Sequence, residues 1–271
     1  LKADTNDLKI LIELDKENRT IKITDNGIGM TDMELESNLG TIAKSGSELF
    51  KEENSDKKNL EVIGQFGVGF YSSFMISKCV SVLSRKAGVS EAYLWESDGT
   101  DGFTITKSEM PNNGTVVTLY LKDNTEDNNY DEYLEDFTIS RIVKKYSDYI
   151  KYPIQMEVET EKEDETDKSK KVKVKELKTL NSMVPIWKKN KKDVKEEEYN
   201  DFYADKFYDY EKPLKVIKSE VEGLTSYSSL LFIPSHAPYN YYTKDYEKGL
   251  MLYSKGVMIL DKCSDLLPDY F

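Results

Sequence analysis

Apolar and polar positions alternate in short runs over residues 8–121, which is the pattern of strands that bury one face. The runs are rich in β-branched side chains, and Asp15 to Asn18 supplies turn residues between the first two. Strands are therefore predicted over residues 8–14, 19–24, 80–84, 91–96, 103–107 and 115–121.

Helical signals flank these strands. Thr31, followed by Asp32 and Glu34, predicts a helix N-cap with acids in the first turn. Residues 137–150 carry apolar side chains at helical spacing. Helices are also predicted over 67–76 and 196–208, a strand over 227–233, and a mobile loop with a short helix near 48–51 over the polar residues 40–60.

Strands in hairpin succession, with helices before and after them, predict an α+β fold. The expected architecture is a two-layer sandwich of helices on a mostly antiparallel sheet, not a doubly wound parallel sheet. Composition changes near Glu159, and residues 160–171 contain no apolar side chain. We therefore predict a first domain over 1–156, a charged linker or exposed hairpin over 157–178, and a second, truncated α/β domain over 179–271.

Charge and cysteine content limit the classes of function. The chain has 271 residues with 38 basic and 50 acidic side chains, and this net charge of −12 argues against nucleic acid as the main partner. Cys79 and Cys263 lack metal-binding spacing, which favours buried thiols in a reducing compartment. The absence of a membrane-length apolar run and of a signal peptide predicts a cytoplasmic protein without a membrane partner. The first residue is not Met, so we expect a fragment.

The first glycine-containing segment is Asp25-Asn26-Gly27-Ile28-Gly29-Met30. A carboxylate at Asp25 suits the exocyclic amine of adenine, because a buried acceptor needs a donor. Gly27 and Gly29 allow a flat base to approach the backbone, and Met30 offers a polarisable surface to one ring face. Alone, the segment favours an ordinary Asp-Asn-Gly turn that caps a helix over a binding site.

The second segment, residues 64–72, places Gly64, Gly67 and Gly69 at the predicted start of a helix. Its backbone N–H groups could receive phosphates, although it is neither a Walker A loop nor a dinucleotide fingerprint. A flexible hinge is the alternative. Taken together, the two segments favour a nucleotide site. Lys44, between two glycines, could swing onto phosphates, and Thr115 at a strand start could join the base network.

Five strings carry a resemblance to a known family: GTIAKSG (40–46), IGQFGVGFYS (63–72), KYSDYI (145–150), EEYNDFY (197–203) and LLFIPSHAP (230–238). In this order the chain resembles, along essentially its whole length, the 90-kDa heat-shock chaperone family in its bacterial form. That family belongs to the GHKL ATPases with the Bergerat-type fold, together with gyrase B subunits, MutL and sensor histidine kinases.

The resemblance implies a role for each matching residue. Asp25 would bind the adenine amine, with Gly29 and Thr115 joining through water. The base pocket would be lined by Met30, Leu39 and Phe70. Asn38 and Lys44 would lie near the ribose and phosphates, and residues 40–64 would form the ATP lid. The phosphates would meet Gln65, Phe66, Gly67, Val68, Gly69 and Phe70.

The resemblance also implies an ATP-dependent chaperone that binds ATP or ADP with Mg²⁺, hydrolyses ATP, and couples this to lid and domain closure around client proteins. In the family the general-base Glu and the Mg²⁺-binding Asn precede the first strand, and the dimerisation domain and an arginine loop come later. We therefore expect no catalytic and no metal-ligating residue in this chain, and a homodimer in the intact protein. The alternatives are a non-catalytic nucleotide- or protein-binding module and a gyrase- or MutL-type ATPase.

Overall fold

The computed structural model describes residues 7–41, 63–64, 68–163, 171–223 and 226–268. The chain divides into two compact units, residues 1–181 and 182–271. The domain boundaries given above remain predictions.

In the first unit the described residues form an eight-stranded sheet with the spatial order β5-β4-β3-β6-β2-β1-β7-β8. Every neighbouring pair is antiparallel except β1 and β7, which run parallel. The strands are β1 (Ile10–Asp15), β2 (Thr20–Asp25), β3 (Ser77–Arg85), β4 (Ala92–Ser97), β5 (Thr104–Ser108), β6 (Gly114–Leu121), β7 (Ile154–Glu163) and β8 (Lys171–Thr179).

One face of this sheet carries the core. Strand register places one apolar residue from each of seven strands in a single row, and direct partners in a sheet share a face. The row consists of Met156, Ile12, Ile23, Val117, Val82, Trp95 and Ile105. All seven belong to one apolar cluster. The apolar positions of the alternating pattern in the sequence therefore lie on this face of the sheet.

Helices pack on the same cluster through a few apolar side chains. They are α1 (Asp32–Leu39), α2 (Asp136–Tyr146) and two short 3₁₀ helices, Phe70–Met75 and Tyr130–Leu134. Leu35 of α1 is fully buried in the cluster, and Ile139 and Val143 of α2 are buried in the same cluster. The predicted α+β sandwich on a mostly antiparallel sheet is confirmed.

The Thr31 cap of α1 forms a full capping box. The Glu34 N–H donates to Thr31 Oγ1 over 3.3 Å, and the Thr31 N–H donates to Glu34 Oε2 over 2.8 Å. This pairing satisfies two of the free N–H groups at the helix start. Helix α1 is thereby fixed directly behind the first glycine segment.

Two predicted helices differ from the structure. Residues 70–75 form a 3₁₀ helix, not an α-helix, because the Ser72 and Ser73 hydroxyls donate to carbonyls three residues back, each over 2.6 Å. Helix α2 ends at Tyr146 instead of residue 150, since Ser147 leaves helical geometry and the next turn closes through Ile150 N–H on Ser147 O at 3.2 Å.

The charged segment forms the hairpin of β7 and β8, which extends the sheet. Its register sets Glu159 opposite Lys175, Glu161 opposite Lys173 and Glu163 opposite Lys171. Antiparallel backbone pairing with β8 therefore continues through the part of β7 where the sequence has no apolar residue.

In the second unit α3 (Glu196–Phe207) packs on aromatic and aliphatic side chains. Phe202 stacks on Phe232 with ring centroids 6.0 Å apart, and Trp187 lies 5.1 Å from the Tyr253 ring. The strands are β9 (Lys215–Val221), β10 (Tyr227–Ile233), β11 (Leu250–Ser254) and β12 (Val257–Cys263). They form two antiparallel pairs, β9 with β10 and β11 with β12. Across the part of the chain that the structure describes, no helix combines the length and apolar character needed to cross a membrane.

Candidate functional site

Three polar side chains stand in one row at the end of the core face. Asp25 of β2 lies directly opposite Thr115 of β6, and Thr115 lies directly opposite Ser84 of β3. The next row on this face is the apolar one that contains Ile23 and Val117. The structure thus brings Asp25 and Thr115 together, as the sequence predicted, at the edge of an apolar surface.

The segment that follows Asp25 is clamped against the neighbouring loops. Ala87 N–H donates to Ile28 O over 2.7 Å, and Asn113 Nδ2 donates to Gly27 O over 2.6 Å. Gly29 is buried with φ +63°, and a Cβ on it would lie 1.9 Å from Arg85 O. A side chain at residue 29 would push the segment off β3, so glycine is required there.

The Asp25 carboxylate is partly buried and partly satisfied. Its Oδ1 accepts the Gly27 N–H over 2.8 Å. Burial raises the pKa of Asp25 above its ordinary value, and the N–H groups of Gly27 and Thr115 oppose this rise without cancelling it. A carboxylate in this state gains free energy from a further hydrogen-bond donor, which an amine-bearing ligand would supply.

Ser84 is the site residue that sequence reasoning missed. It is fully buried, and its Oγ accepts the Met30 N–H over 2.8 Å and lies 3.1 Å from Thr115 Oγ1. Nothing local in the strand 80–84 distinguishes this serine from Ser81. Only the register of β3 against β6, which depends on non-local pairing, identifies it.

The residues predicted to line the base belong to the apolar core of the sheet. Met30, Leu39 and Phe70 all pack against the core cluster. Phe70 meets the Trp95 ring edge-on with centroids 5.5 Å apart, and the Tyr71 hydroxyl donates to Leu39 O over 2.8 Å. The end of α1 and the start of the 3₁₀ helix are therefore joined. This places base-lining candidates from two separate segments side by side.

The remaining predicted residues divide into two groups. Asn38 lies on α1, where its Nδ2 is 3.9 Å from Met30 Sδ. Val68 is 51% exposed, and a Cβ built on Gly69 would meet nothing within 4 Å, so this stretch is open to a ligand. The other predicted contacts, Lys44, Gln65, Phe66 and Gly67, lie outside the described residues, as does the short helix near 48–51.

No metal site is assigned among the described residues. Within the described ranges, no group of three or more His, Cys, Asp or Glu side chains is arranged to hold a metal ion. The described part of the site is thus a row of three polar side chains at the end of the apolar face of the sheet.

Comparison with known proteins identifies the class and then the family. Residues 1–118 match the family described as histidine kinase-, DNA gyrase B- and HSP90-like ATPase, which is the class that the sheet and the Asp25 segment define. Residues 156–271 match the family described as Hsp90 protein. The chain belongs to the Hsp90 family.

Curated relatives agree along the whole chain. A chaperone protein HtpG of Clostridium acetobutylicum is 55% identical over 265 residues, which cover 98% of this chain and 42% of the relative. A chaperone protein HtpG of Clostridium botulinum is 54% identical over 271 residues, which cover 100% of this chain and 43% of the relative. A chaperone protein HtpG of Shouchella clausii is 53% identical over 262 residues, which cover 97% of this chain and 42% of the relative. The chain thus spans about two fifths of the length of these relatives.

Proposed function

We propose that this chain is the nucleotide-binding part, with the beginning of the middle part, of an ATP-dependent molecular chaperone. In the intact protein, binding of ATP with Mg²⁺ and hydrolysis to ADP and phosphate would be coupled to closure of the lid over residues 40–64 and of the domains. The partners would be unfolded or partly folded client proteins, not nucleic acids or membranes. The protein would act as a cytoplasmic homodimer. The names of the relatives support this proposal.

The observation that carries the proposal is the half-buried carboxylate of Asp25 beside Thr115 at the edge of an apolar face. Adenine offers an exocyclic amine for the carboxylate and a flat apolar ring for the walls. Most small-molecule sites combine such apolar walls with a few placed polar groups. Met30, Leu39 and Phe70 are the wall candidates.

The phosphates would extend from the base toward Val68, Gly69 and Phe70. A Cβ built on Gly69 meets nothing within 4 Å, which leaves room for a bulky ligand close to the backbone. Mg²⁺ bound with the nucleotide would neutralise phosphate charge. We assign no described side chain to the ion, and we derive no hydrolytic step from this chain.

Calorimetric titration of the 271-residue chain with ADP, with and without Mg²⁺, tests the proposal. Asp25→Asn should weaken ADP binding by about 10- to 100-fold, because a hydrogen bond to a charged group contributes about 1.5–3 kcal/mol. Asp123→Asn is the matched control, since the Asp123 side chain is 83% exposed and its partner Lys78 is 3.7 Å away. The control should bind ADP like the unaltered chain.

Two results would contradict the proposal. One is the absence of any binding heat for the unaltered chain over a range of temperatures. The other is equal affinity of the Asp25→Asn and Asp123→Asn variants for ADP, which would place the base elsewhere.

A further inference from the structure

The hydrogen-bond partners of Ser84 determine where its single hydroxyl proton goes. Ser84 Oγ has three neighbours: Gly114 O at 3.0 Å, the Met30 N–H at 2.8 Å and Thr115 Oγ1 at 3.1 Å. A serine hydroxyl offers one donor and two acceptor positions. Ser84 is fully buried, so bulk water cannot relieve a mismatch.

Only one distribution of protons satisfies all three contacts. Gly114 O can only accept, so the Ser84 proton must be donated to it. The Met30 backbone nitrogen can only donate, so it occupies one Ser84 acceptor position. The remaining contact then requires Thr115 to donate its own hydroxyl proton to Ser84. Any other assignment leaves two bare acceptors facing each other in a buried place.

The Thr115 hydroxyl proton is therefore already donated to Ser84. A ligand that approaches Thr115 from the Asp25 side meets a hydrogen-bond acceptor and no donor. An ionised Asp25 carboxylate also offers acceptors only. The two side chains are direct partners on β2 and β6, so they present the same character to one ligand edge. A ligand group that lies between the two side chains must therefore carry donors.

We propose that Ser84 is a positioning residue that sets base specificity: by holding the Thr115 proton, it makes the site select a 6-amino purine over a 6-oxo purine. The inference rests on the proposed function, in which Asp25 and Thr115 bind the base. A 6-oxo group is an acceptor and would face two further acceptors.

Without Ser84, Thr115 is free to turn its proton toward the ligand. It could then donate to a 6-oxo group, and the penalty against that base would fall. Ser84→Ala should therefore narrow the preference for ADP over inosine diphosphate, whose base carries an oxygen at the 6-position and a hydrogen on N1, where adenine has an amine and a bare nitrogen. A loss of about one hydrogen bond corresponds to a decrease of about fivefold in the ratio of the affinities for ADP and inosine diphosphate.

The test is calorimetric titration of the 271-residue chain and its variants with ADP and with inosine diphosphate. The unaltered chain should prefer ADP, Ser84→Ala should show the narrowed ratio, and Ser84→Thr should restore it because it keeps the hydroxyl. A purely structural role would weaken both ligands equally and leave the ratio unchanged. Thermal unfolding followed by circular dichroism reports whether each variant is folded.

A second variant keeps the inference testable if Ser84→Ala does not fold. Thr115→Val has nearly the same shape but no hydroxyl, and it should narrow the ratio by a similar factor. An unchanged ratio in a folded Ser84→Ala or Thr115→Val variant would overturn the inference while leaving the proposed function intact. Failure of the unaltered chain to bind either ligand would overturn the proposed function, and the inference with it.

Discussion

Replacement of Gly29 by alanine tests the idea that the segment after Asp25 must lie directly on β3. Gly29 has φ +63°, and a left-handed conformation costs an L-residue about 1–2 kcal/mol. A Cβ would also lie 1.9 Å from Arg85 O and 2.9 Å from Gly114 O. Ordinary van der Waals contact begins at 3.4 Å, so the backbone must separate.

That separation breaks contacts on both sides of residue 29. The Ala87 N–H to Ile28 O bond of 2.7 Å and the Met30 N–H to Ser84 Oγ bond of 2.8 Å both cross the gap. Each such bond contributes about 1 kcal/mol. Together with the backbone term, Gly29→Ala should lower the free energy of unfolding of the first unit by about 3–4 kcal/mol.

Gly64→Ala is the matched control for the backbone term. Gly64 has a similar φ of +79°, but a Cβ on it would meet nothing within 4 Å. Gly64→Ala should lower the free energy of unfolding by only about 1–2 kcal/mol. The assay is urea unfolding followed by circular dichroism, with ADP titration of the folded variants. Equal destabilisation by the two substitutions would refute the close-approach argument.

Two further predictions concern stability. Asn181→Ala should lower the free energy of unfolding of the first unit by about 2–4 kcal/mol in urea unfolding. Asn181 is buried; its Nδ2 donates to Ile150 O and Tyr152 O, each over 2.9 Å, and its Oδ1 accepts the Ile154 N–H over 2.8 Å. A loss below about 1 kcal/mol would contradict this prediction. The raised pKa of Asp25 means that the folded chain binds more protons than the unfolded chain just above the ordinary value of 3.8, so stability falls as pH rises through the folded pKa. Asp25→Asn should remove that part of the fall in a series of unfolding curves at different pH, and an unchanged slope would contradict the sign.

The sequence predicts the central strands well because each carries its own signal. Strand β10 has the predicted bounds, β6 starts one residue earlier than predicted, and β2 is shifted by one residue at both ends, since alternation and β-branched content are local properties. For the hairpin of β7 and β8 the sequence predicts either a charged linker or an exposed hairpin, because charged side chains give little local signal for strands. Its order depends on pairing of β7 with β1, far away in the sequence.

The candidate site was predicted only as far as local motifs extend. Asp25 and Gly29 stand in a recognisable turn, and Thr115 is predicted from its place at the start of a strand and from the resemblance to a family. Ser84 was missed, because its importance lies in its register with Thr115 and in its burial. Register is a property of non-local pairing, and the alternation of one strand alone does not define it.

A crystal structure of the 271-residue chain bound to ADP would test the central claim most directly. The account predicts that the adenine 6-amino nitrogen lies within hydrogen-bond distance of an Asp25 carboxylate oxygen, with the ring against Met30 and the phosphates toward Gly69. An adenine bound away from Asp25, or placed so that a ring atom without hydrogen faces the carboxylate, would contradict it.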